Sequence, residues 1–119
     1  MKTVLFVDDE EMNLFILNRL FSNDFNVITA SSGSEGIEVI REQADEIDAV
    51  VTDLKMPEIS GIQMIMEVLD LLQGKPKFLL TGYNYHSEID EAIEKNLVTG
   101  VFKKPFDFEE IKKVLQEHL

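Results

Sequence analysis

Short apolar runs alternate along the chain with longer segments whose apolar residues recur at three- and four-residue intervals. The short runs are rich in β-branched and aromatic residues, and they predict five strands at Thr3–Val7, Asn26–Thr29, Ala49–Thr52, Phe78–Leu80 and Gly100–Lys103. The longer segments predict five helices, and their apolar positions are Met12, Phe15, Ile16 and Leu20; Ile37 and Ile40; Ile62, Ile65, Met66 and Leu69; Ile89, Ala92 and Ile93; and Ile111, Val114 and Leu115. The pattern therefore predicts a regular alternation of strands and helices.

Several of the predicted strands are apolar without interruption, notably Val4–Val7, Val50–Val51 and Phe78–Leu80. A strand that is buried on both faces gives such a run, whereas a half-exposed strand alternates apolar and polar residues. Five strands interleaved with five helices then indicate an α/β fold, a doubly wound parallel sheet with helices on both faces. At 119 residues, the chain is expected to form a single domain over residues 1–119.

The starts of three helices carry capping signals. Ser60 with Gln63, and Asp107 with Glu110, have the spacing of a capping box, in which side chains satisfy the free amides of the first turn. Ser87 is a candidate cap for the fourth helix. These signals agree with the helix boundaries that the apolar pattern predicts.

Composition narrows the function by exclusion. The formal net charge of −12 repels a polyanion, so direct binding to nucleic acid is not expected. The chain has no cysteine, which excludes disulfides and thiolate metal sites. No apolar run approaches membrane-spanning length, and Val4–Val7 is too short and too closely followed by acids to be a signal peptide. We therefore expect a cytoplasmic protein that does not bind membranes.

Chemically useful side chains stand at the ends of four predicted strands. Asp8 and Asp9 follow the first strand, Asp53 the third, Thr81 the fourth and Lys104 the fifth. Because parallel strands bring their carboxyl ends to one edge of the sheet, where such folds bind ligands, we expect these side chains to converge. Three carboxylates in close proximity repel one another, and a hard cation with oxygen ligands, such as Mg²⁺, relieves that repulsion. With a lysine and a hydroxyl for phosphate oxygens, the site suits phosphoryl transfer to a carboxylate.

Four short motifs carry a resemblance to a known family. In chain order they are Val7-Asp8-Asp9-Glu10, Asp53-Leu54-Lys55-Met56-Pro57 with Gly61, Thr81-Gly82, and Lys104-Pro105-Phe106. Together they resemble the motifs of bacterial response-regulator receiver domains and are similar to those of the chemotaxis regulator. The match runs from the first strand to the last helix, and it implies a flavodoxin-like (βα)5 domain with strand order 2-1-3-4-5.

The resemblance also implies a role for each matching residue. Asp53 corresponds to the phosphoryl acceptor, Thr81 to the hydroxyl that engages the phosphoryl group, and Lys104 to the lysine that pairs with a phosphoryl oxygen. Asp9 would bind Mg²⁺ directly and Asp8 through water. The full implied set of Mg²⁺ ligands is Asp8, Asp9, Asp53 and the backbone carbonyl of Lys55.

The function implied is that of a phosphorylation switch in two-component signalling. A histidine kinase or a histidine phosphotransfer protein would phosphorylate Asp53, and the surface of the fourth helix, fifth strand and fifth helix would change its affinity for a downstream partner or effector domain. We expect no DNA-binding or enzymatic effector segment after the last predicted helix. A stand-alone regulator, a receiver within a longer protein and a phosphorylation-dependent dimer all stay open.

Two other functions compete with the switch. A small phosphatase with an aspartate nucleophile, of the haloacid-dehalogenase type, would need Asp-x-Asp after the first strand, but Glu10 stands where the second Asp belongs. A degenerate receiver that only binds other proteins is disfavoured by the complete set of acids together with Thr81 and Lys104. We therefore expect a switch and not an enzyme.

Some residues depart from the family pattern or carry a plainer interpretation. Val101 stands where the family usually has a tyrosine or phenylalanine, so the relay from Thr81 to the partner surface should depend less on that position. Tyr83 is expected to shield an acyl phosphate from water. Larger apolar side chains are expected to pack in the interior, among them Met12, Met64, Met66, Phe102 and Phe106.

Overall fold

The computed structural model describes residues 1–82, 87–103 and 105–119. Its five strands are β1 (Thr3–Val7), β2 (Asn26–Ala30), β3 (Ala49–Asp53), β4 (Lys77–Thr81) and β5 (Gly100–Lys103). They form one parallel sheet in the order β2-β1-β3-β4-β5. The α/β fold, the flavodoxin-like arrangement and the strand order are therefore confirmed. Each predicted strand is present, and its ends differ from the prediction by one residue at most.

The described residues also form the five expected helices, which are α1 (Glu11–Phe21), α2 (Gly33–Gln43), α3 (Gly61–Glu67), α4 (Ser87–Glu94) and α5 (Phe108–His118). The third helix is shorter than its apolar pattern predicts. Val68 leaves the helical conformation with φ −119° and ψ 21°, and the chain continues as a short 3₁₀ helix at Leu69–Leu72. No helix in the described part of the chain is long and apolar enough to cross a membrane.

Two apolar clusters cover the two faces of the sheet. In β1, Leu5 and Val7 belong to one cluster, and Val4 and Phe6 belong to the other, because successive side chains of a strand point to opposite faces. The first cluster includes buried residues of α2, α3 and α4, and we call it the three-helix face. The second includes buried residues of α1 and α5, and we call it the two-helix face. This arrangement leaves the carboxyl edge of the sheet for the loops.

Local hydrogen bonds confirm the helix starts before α3 and α5. The Ser60 hydroxyl accepts from the backbone N–H of Gln63 at 3.1 Å, and the Gln63 side chain accepts from the backbone N–H of Ser60 at 2.8 Å. The Asp107 carboxylate accepts from the backbone amides of Glu109 and Glu110. Ser87 lies one position later than its predicted capping role requires, because it is the first residue of α4.

Helix α1 is apolar on more than one side, and the apolar positions that predicted this helix are not the ones that it buries. The buried residues of α1 are Leu14, Leu17 and Phe21. The four residues of the predicted stripe are all exposed: Met12, Phe15, Ile16 and Leu20. Both sets recur at helical intervals, so the periodicity alone could not distinguish the buried set from the exposed one.

The other predicted interior positions gave a mixed result. Met64 is fully buried, whereas Met12 and Met66 are 68% and 57% exposed. The prediction of interior packing is therefore wrong for those two residues. Phe102 is buried in the two-helix face, and Phe106 is half-buried against it, which confirms both as packing residues. Large exposed apolar side chains are therefore a feature of this surface, and they are densest on α1.

Candidate functional site

The carboxyl edge of the sheet brings three aspartates together. Asp8 follows β1, Asp53 ends the neighbouring strand β3, and Val7 lies opposite Thr52 in the register, which places the two acids side by side. One carboxylate oxygen from each of Asp8, Asp9 and Asp53 lies within 4.8 Å of the others. Asp8 is buried, Asp53 is half-buried and Asp9 is exposed. The predicted convergence of these three carboxylates, which we call the acidic edge, is confirmed.

The carboxylate of Asp8 is held in place by two hydrogen-bond donors. Its Oδ1 accepts from the backbone N–H of Glu10 at 2.9 Å, and its Oδ2 accepts from the side-chain amide of Asn13 at 3.2 Å. Its own backbone N–H donates to the carbonyl of Ala30 at 3.1 Å, which ties the loop to β2. Asn13 is not among the site residues that the sequence predicts. The signal that could have found it is an amide side chain in the first turn of the helix that directly follows the acidic pair.

The surroundings of Asp8 make its charge unfavourable. Burial raises the pKa of the Asp8 carboxyl above its ordinary value, the hydrogen bonds from Glu10 and Asn13 oppose that rise, and the negative charges of Asp9 and Glu10 add to it. A divalent cation would offset this accumulation of charge. The donors at the acidic edge are carboxylate oxygens, the ligands that Mg²⁺ prefers, so the residues present fit that ion.

We expect Asp8→Asn to stabilise the protein in the absence of divalent cations. The raised pKa means that, between the unfolded and folded pKa values, the folded state binds more protons, so stability falls as pH rises through that window. At neutral pH the cost is fully present, and asparagine removes it while still accepting from Glu10. Thermal unfolding at pH 7 in a chelator should show a gain of roughly 1 kcal/mol, a common size for one substitution.

The pH dependence supplies the control for this prediction. Well below pH 3.8, the ordinary pKa of an aspartate, the Asp8 carboxyl is protonated in both states, and the difference between Asp8→Asn and the wild type should disappear. Mg²⁺ should raise the melting temperature of the wild type and raise that of Asp8→Asn much less. An Asp8→Asn protein that is less stable than the wild type at pH 7 would show that the buried charge is compensated within the protein.

The loop after Asp53 is fixed by backbone contacts. The N–H of Leu54 donates to Leu80 at 3.0 Å, and the N–H of Gly61 donates back to Leu54 at 2.9 Å. A Cβ atom at position 61 would lie 2.3 Å from the backbone carbonyl oxygen of Asp53, so only glycine fits this approach. Glu58 has φ 69°, a left-handed conformation that is unfavourable for a residue with a side chain. Lys55 is exposed in this loop.

The other predicted site residues lie on or beyond β4 and β5. Thr81 is the last residue of β4 and is 2% exposed, and its strand lies next to β3 with Leu80 opposite Asp53. Lys104 and Tyr83 lie outside the described residues, so their predicted roles stay predictions. Val101 pairs with Leu79 in the sheet. Its own small side chain is half-buried against the three-helix face.

Comparison with known proteins gives a consistent result. The family model of the response regulator receiver domain matches residues 4–116. The transcriptional regulatory protein GlrR of Escherichia coli (strain K12) is 33% identical over 120 residues, which cover 98% of this chain and 26% of GlrR. Sporulation initiation phosphotransferase F of Bacillus subtilis (strain 168) is 26% identical over 117 residues, which cover 98% of this chain and 92% of that protein.

A solved structure agrees with these relatives. The chemotaxis protein CheY4 of Vibrio cholerae superimposes with a TM-score of 0.88 at 26% identity, covering 100% of this chain and 99% of that one. The transcriptional regulators among the curated relatives are much longer, and the chain spans about a quarter of their length. The likeness to those proteins therefore concerns one part of each of them.

Proposed function

This chain belongs to the response regulator receiver family of two-component signalling, and from that premise we propose that Asp53 is the residue that accepts the phosphoryl group. The observation that carries the proposal is the acidic edge, in which Asp53 ends β3 with its carboxylate within 4.8 Å of those of Asp8 and Asp9. A half-buried carboxylate at the carboxyl edge of a parallel sheet lies where such folds bind ligands.

The proposed reaction is a phosphoryl transfer between two side chains. A carboxylate oxygen of Asp53 forms a bond to the phosphorus of a phosphohistidine while the P–N bond to the imidazole breaks, and the departing imidazole takes up one proton from solvent. The product on this chain is an acyl phosphate. Catalysis in such reactions is mainly positioning and charge stabilisation, which the fixed loop after Asp53 favours.

We propose that Asp8, Asp9, Asp53 and the backbone carbonyl of Lys55 hold Mg²⁺. When bound, the ion would neutralise negative charge on the phosphoryl oxygens. In this proposal the hydroxyl of Thr81 and the ammonium of Lys104 contact the other phosphoryl oxygens. The protein itself acts as a switch and not as an enzyme with a free substrate, because the phosphoryl group stays on Asp53 until water removes it.

The proposed output is a change of surface. A phosphorylated Asp53 adds negative charge and strong acceptors at the end of β3, and the loop after Thr81 would rearrange toward them. The face formed by α4, β5 and α5 would then change its affinity for a downstream protein, an effector domain or a second copy of the chain. Direct nucleic-acid and membrane binding are not part of this proposal. A cytoplasmic location follows from it, because kinases draw phosphoryl groups from ATP inside the cell.

Labelling with acetyl phosphate tests the proposed function. The switch requires one phosphoryl group per chain, incorporated only with Mg²⁺ and released by hydroxylamine, which cleaves acyl phosphates. A folded protein that takes up no label under these conditions would support the protein-interaction module. Continuous hydrolysis of many equivalents of acetyl phosphate, without accumulation of label, would support the phosphatase.

The exposed face of α1 is the proposed docking surface for the protein donor, a histidine kinase or phosphotransfer protein. The donor must bring its phosphohistidine to Asp53, so its binding surface must adjoin the acidic edge, and α1 begins two residues after Asp9. Phe15 is 60% exposed there, and the Arg19 guanidinium lies 5.8 Å from the centre of its ring. An exposed aromatic beside an arginine is a typical composition for the centre of an interface.

We expect Phe15→Ser to slow phosphorylation by a protein donor about ten-fold, which corresponds to about 1.4 kcal/mol and lies within the range that a central interface residue costs when it is truncated. The rate with acetyl phosphate should stay unchanged, because the small donor needs no docking surface. Met66→Ser is the matched control, as Met66 is 57% exposed on α3, on the other face of the sheet. Equal slowing by both substitutions would contradict the proposed surface.

A further inference from the structure

Asn13 lies in the first turn of α1 and contacts the acidic edge from the side of the helix. Its amide nitrogen donates to Asp8 Oδ2 at 3.2 Å, and because a carboxylate only accepts hydrogen bonds, the nitrogen is the amide atom that must face it. Asp8 Oδ1 is occupied separately by the backbone N–H of Glu10 at 2.9 Å. Each oxygen of Asp8 therefore has its own donor, and the plane of the carboxylate is fixed.

The start of α1 is arranged around this carboxylate. The residue before the helix, Glu10, makes no side-chain capping bond, and its carbonyl accepts the first helical bond from Leu14 at 3.2 Å. Asp8, two residues before Glu10, instead accepts from the backbone N–H of Glu10 and from the side-chain amide of Asn13. The helix N-terminus and the buried acid thus share one hydrogen-bonded unit, so the position of α1 and the orientation of Asp8 depend on each other.

We propose that Asn13 is a positioning residue of the cation site, which orients the Asp8 carboxylate without neutralising it. This inference rests on the proposed Mg²⁺ site. An amide adds a donor and no charge, so the full negative charge of Asp8 stays available to a cation. A lysine or arginine at the same position would also orient Asp8, but it would form an ion pair and compete with the metal. Residues that hold metal ligands in this way commonly raise the affinity for the metal roughly ten- to a hundredfold.

The apolar surroundings of Asp8 and Asn13 limit how well a water molecule could replace the Asn13 amide as a donor to Asp8. Asp8 and Asn13 together line a small cavity of about 40 Å³, and its remaining walls are apolar side chains, among them Leu17, Leu80 and Ile111. A buried water needs two to four polar partners to be stable. Asp8 is the main polar group left in this cavity once Asn13 is truncated, so a substituting water would hold the carboxylate less firmly.

Mg²⁺ binding to the unphosphorylated protein tests the proposal. The melting temperature is followed as Mg²⁺ is added. Because binding to the folded state stabilises it by RT ln(1 + [Mg²⁺]/Kd), we expect the Asn13→Ala curve to be displaced to about ten-fold higher Mg²⁺ concentrations with its shape unchanged. Asn18→Ala is the matched control, because Asn18 is exposed on the same helix. A curve for Asn13→Ala that coincides with that of the wild type, or an equal displacement in Asn18→Ala, would overturn the proposal.

A second variant tests the charge argument independently. Asn13→Lys should be more stable than the wild type in a chelator, because its ammonium pairs with the buried Asp8, and Mg²⁺ should no longer raise its melting temperature. A purely structural role for Asn13 predicts that both substitutions only lower stability. A wild-type response of Asn13→Lys to Mg²⁺ would therefore contradict the proposal.

The readout separates this proposal from the proposed function. The rate of labelling by acetyl phosphate is measured on the same proteins, and Asn13→Ala should reach a rate within two-fold of the wild type once Mg²⁺ is saturating. If the wild type binds Mg²⁺ but takes up no label, the phosphoryl-acceptor function fails while the melting data still test Asn13. If Asn13→Ala takes up label more slowly even at saturating Mg²⁺, the residue does more than orient the cation site, and the proposal is overturned.

Discussion

An Asp53→Asn protein should take up no phosphoryl group from acetyl phosphate or from a protein donor, a loss of at least about a hundredfold in rate. The reaction needs a carboxylate oxygen as nucleophile, and an amide at the same position is a poor one. Asparagine has nearly the same size, so the fold and the loop to Gly61 should be retained. Intact mass and hydroxylamine release, measured with saturating Mg²⁺, give the result directly.

Asp48→Asn provides the matched control for this loss. Asp48 is half-buried just before β3, at the opposite edge of the sheet, where its carboxylate accepts from the backbone N–H of Thr3 at 2.8 Å. The same substitution at that position should leave labelling at the wild-type rate. Hydroxylamine-labile phosphate that persists in Asp53→Asn would move the acceptor to Asp8 or Asp9. It would show that the acidic edge is the site but that its nucleophile was misassigned.

Gly61→Ala should lower stability by about 2 kcal/mol and should also slow labelling. The added Cβ would lie 2.3 Å from the backbone oxygen of Asp53 and 3.0 Å from a methyl carbon of Thr52. Such an overlap with backbone cannot be relieved by a side-chain rotation, and overpacking of this kind typically costs 1–3 kcal/mol, roughly. Because the backbone that must move carries Asp53, the acceptor is displaced together with the loop.

Gly100→Ala is the control that isolates this backbone contact. A Cβ at Gly100, the first residue of β5, would meet its nearest neighbour, the ring of Phe78, at 3.5 Å, an ordinary packing distance. We expect stability within about 0.5 kcal/mol of the wild type and an unchanged labelling rate. Thermal unfolding and labelling should both be measured for the two variants. A Gly61→Ala protein with wild-type values in both would show that the α3 start can shift away from Asp53 without consequence.

The exposed face of α1, which is the proposed docking surface, lies beside the acidic edge. Met12, Phe15 and Ile16 stand on the surface of the same helix whose first turn carries Asn13. A protein that binds this face would therefore contact the helix that carries Asn13 and orients Asp8. The same helix would therefore bind the protein donor and orient the cation site. The two roles can be separated, because Phe15→Ser should slow phosphorylation by a protein donor only, whereas Asn13→Ala should weaken Mg²⁺ binding.

The parallel sheet and the convergence of the aspartates follow from information that is local in the sequence, whereas the strand order was expected only from the resemblance to receiver domains. Continuous apolar runs identify buried parallel strands, and the residue that ends each strand must lie at the carboxyl edge whichever way the loops pack. For this reason the sequence alone predicts that Asp8, Asp9 and Asp53 lie close together. The same holds for the cap at Ser60, whose signal is a spacing of three residues.

Packing decided what periodicity could not. Helix α1 carries two apolar stripes at helical intervals, and only contact with β1, β3 and α5 determines that Leu14, Leu17 and Phe21 are buried. The contact between Asn13 and Asp8 at 3.2 Å, and the approach of Gly61 to Asp53, where an added Cβ would lie 2.3 Å from the carbonyl oxygen, likewise depend on short distances across a turn or a loop. The sequence thus specifies which chemical groups reach the edge of the sheet, because strand periodicity and direction are local properties. Tertiary structure alone decides which groups orient them and which face of α1 remains for a partner, because these depend on how the elements pack against one another.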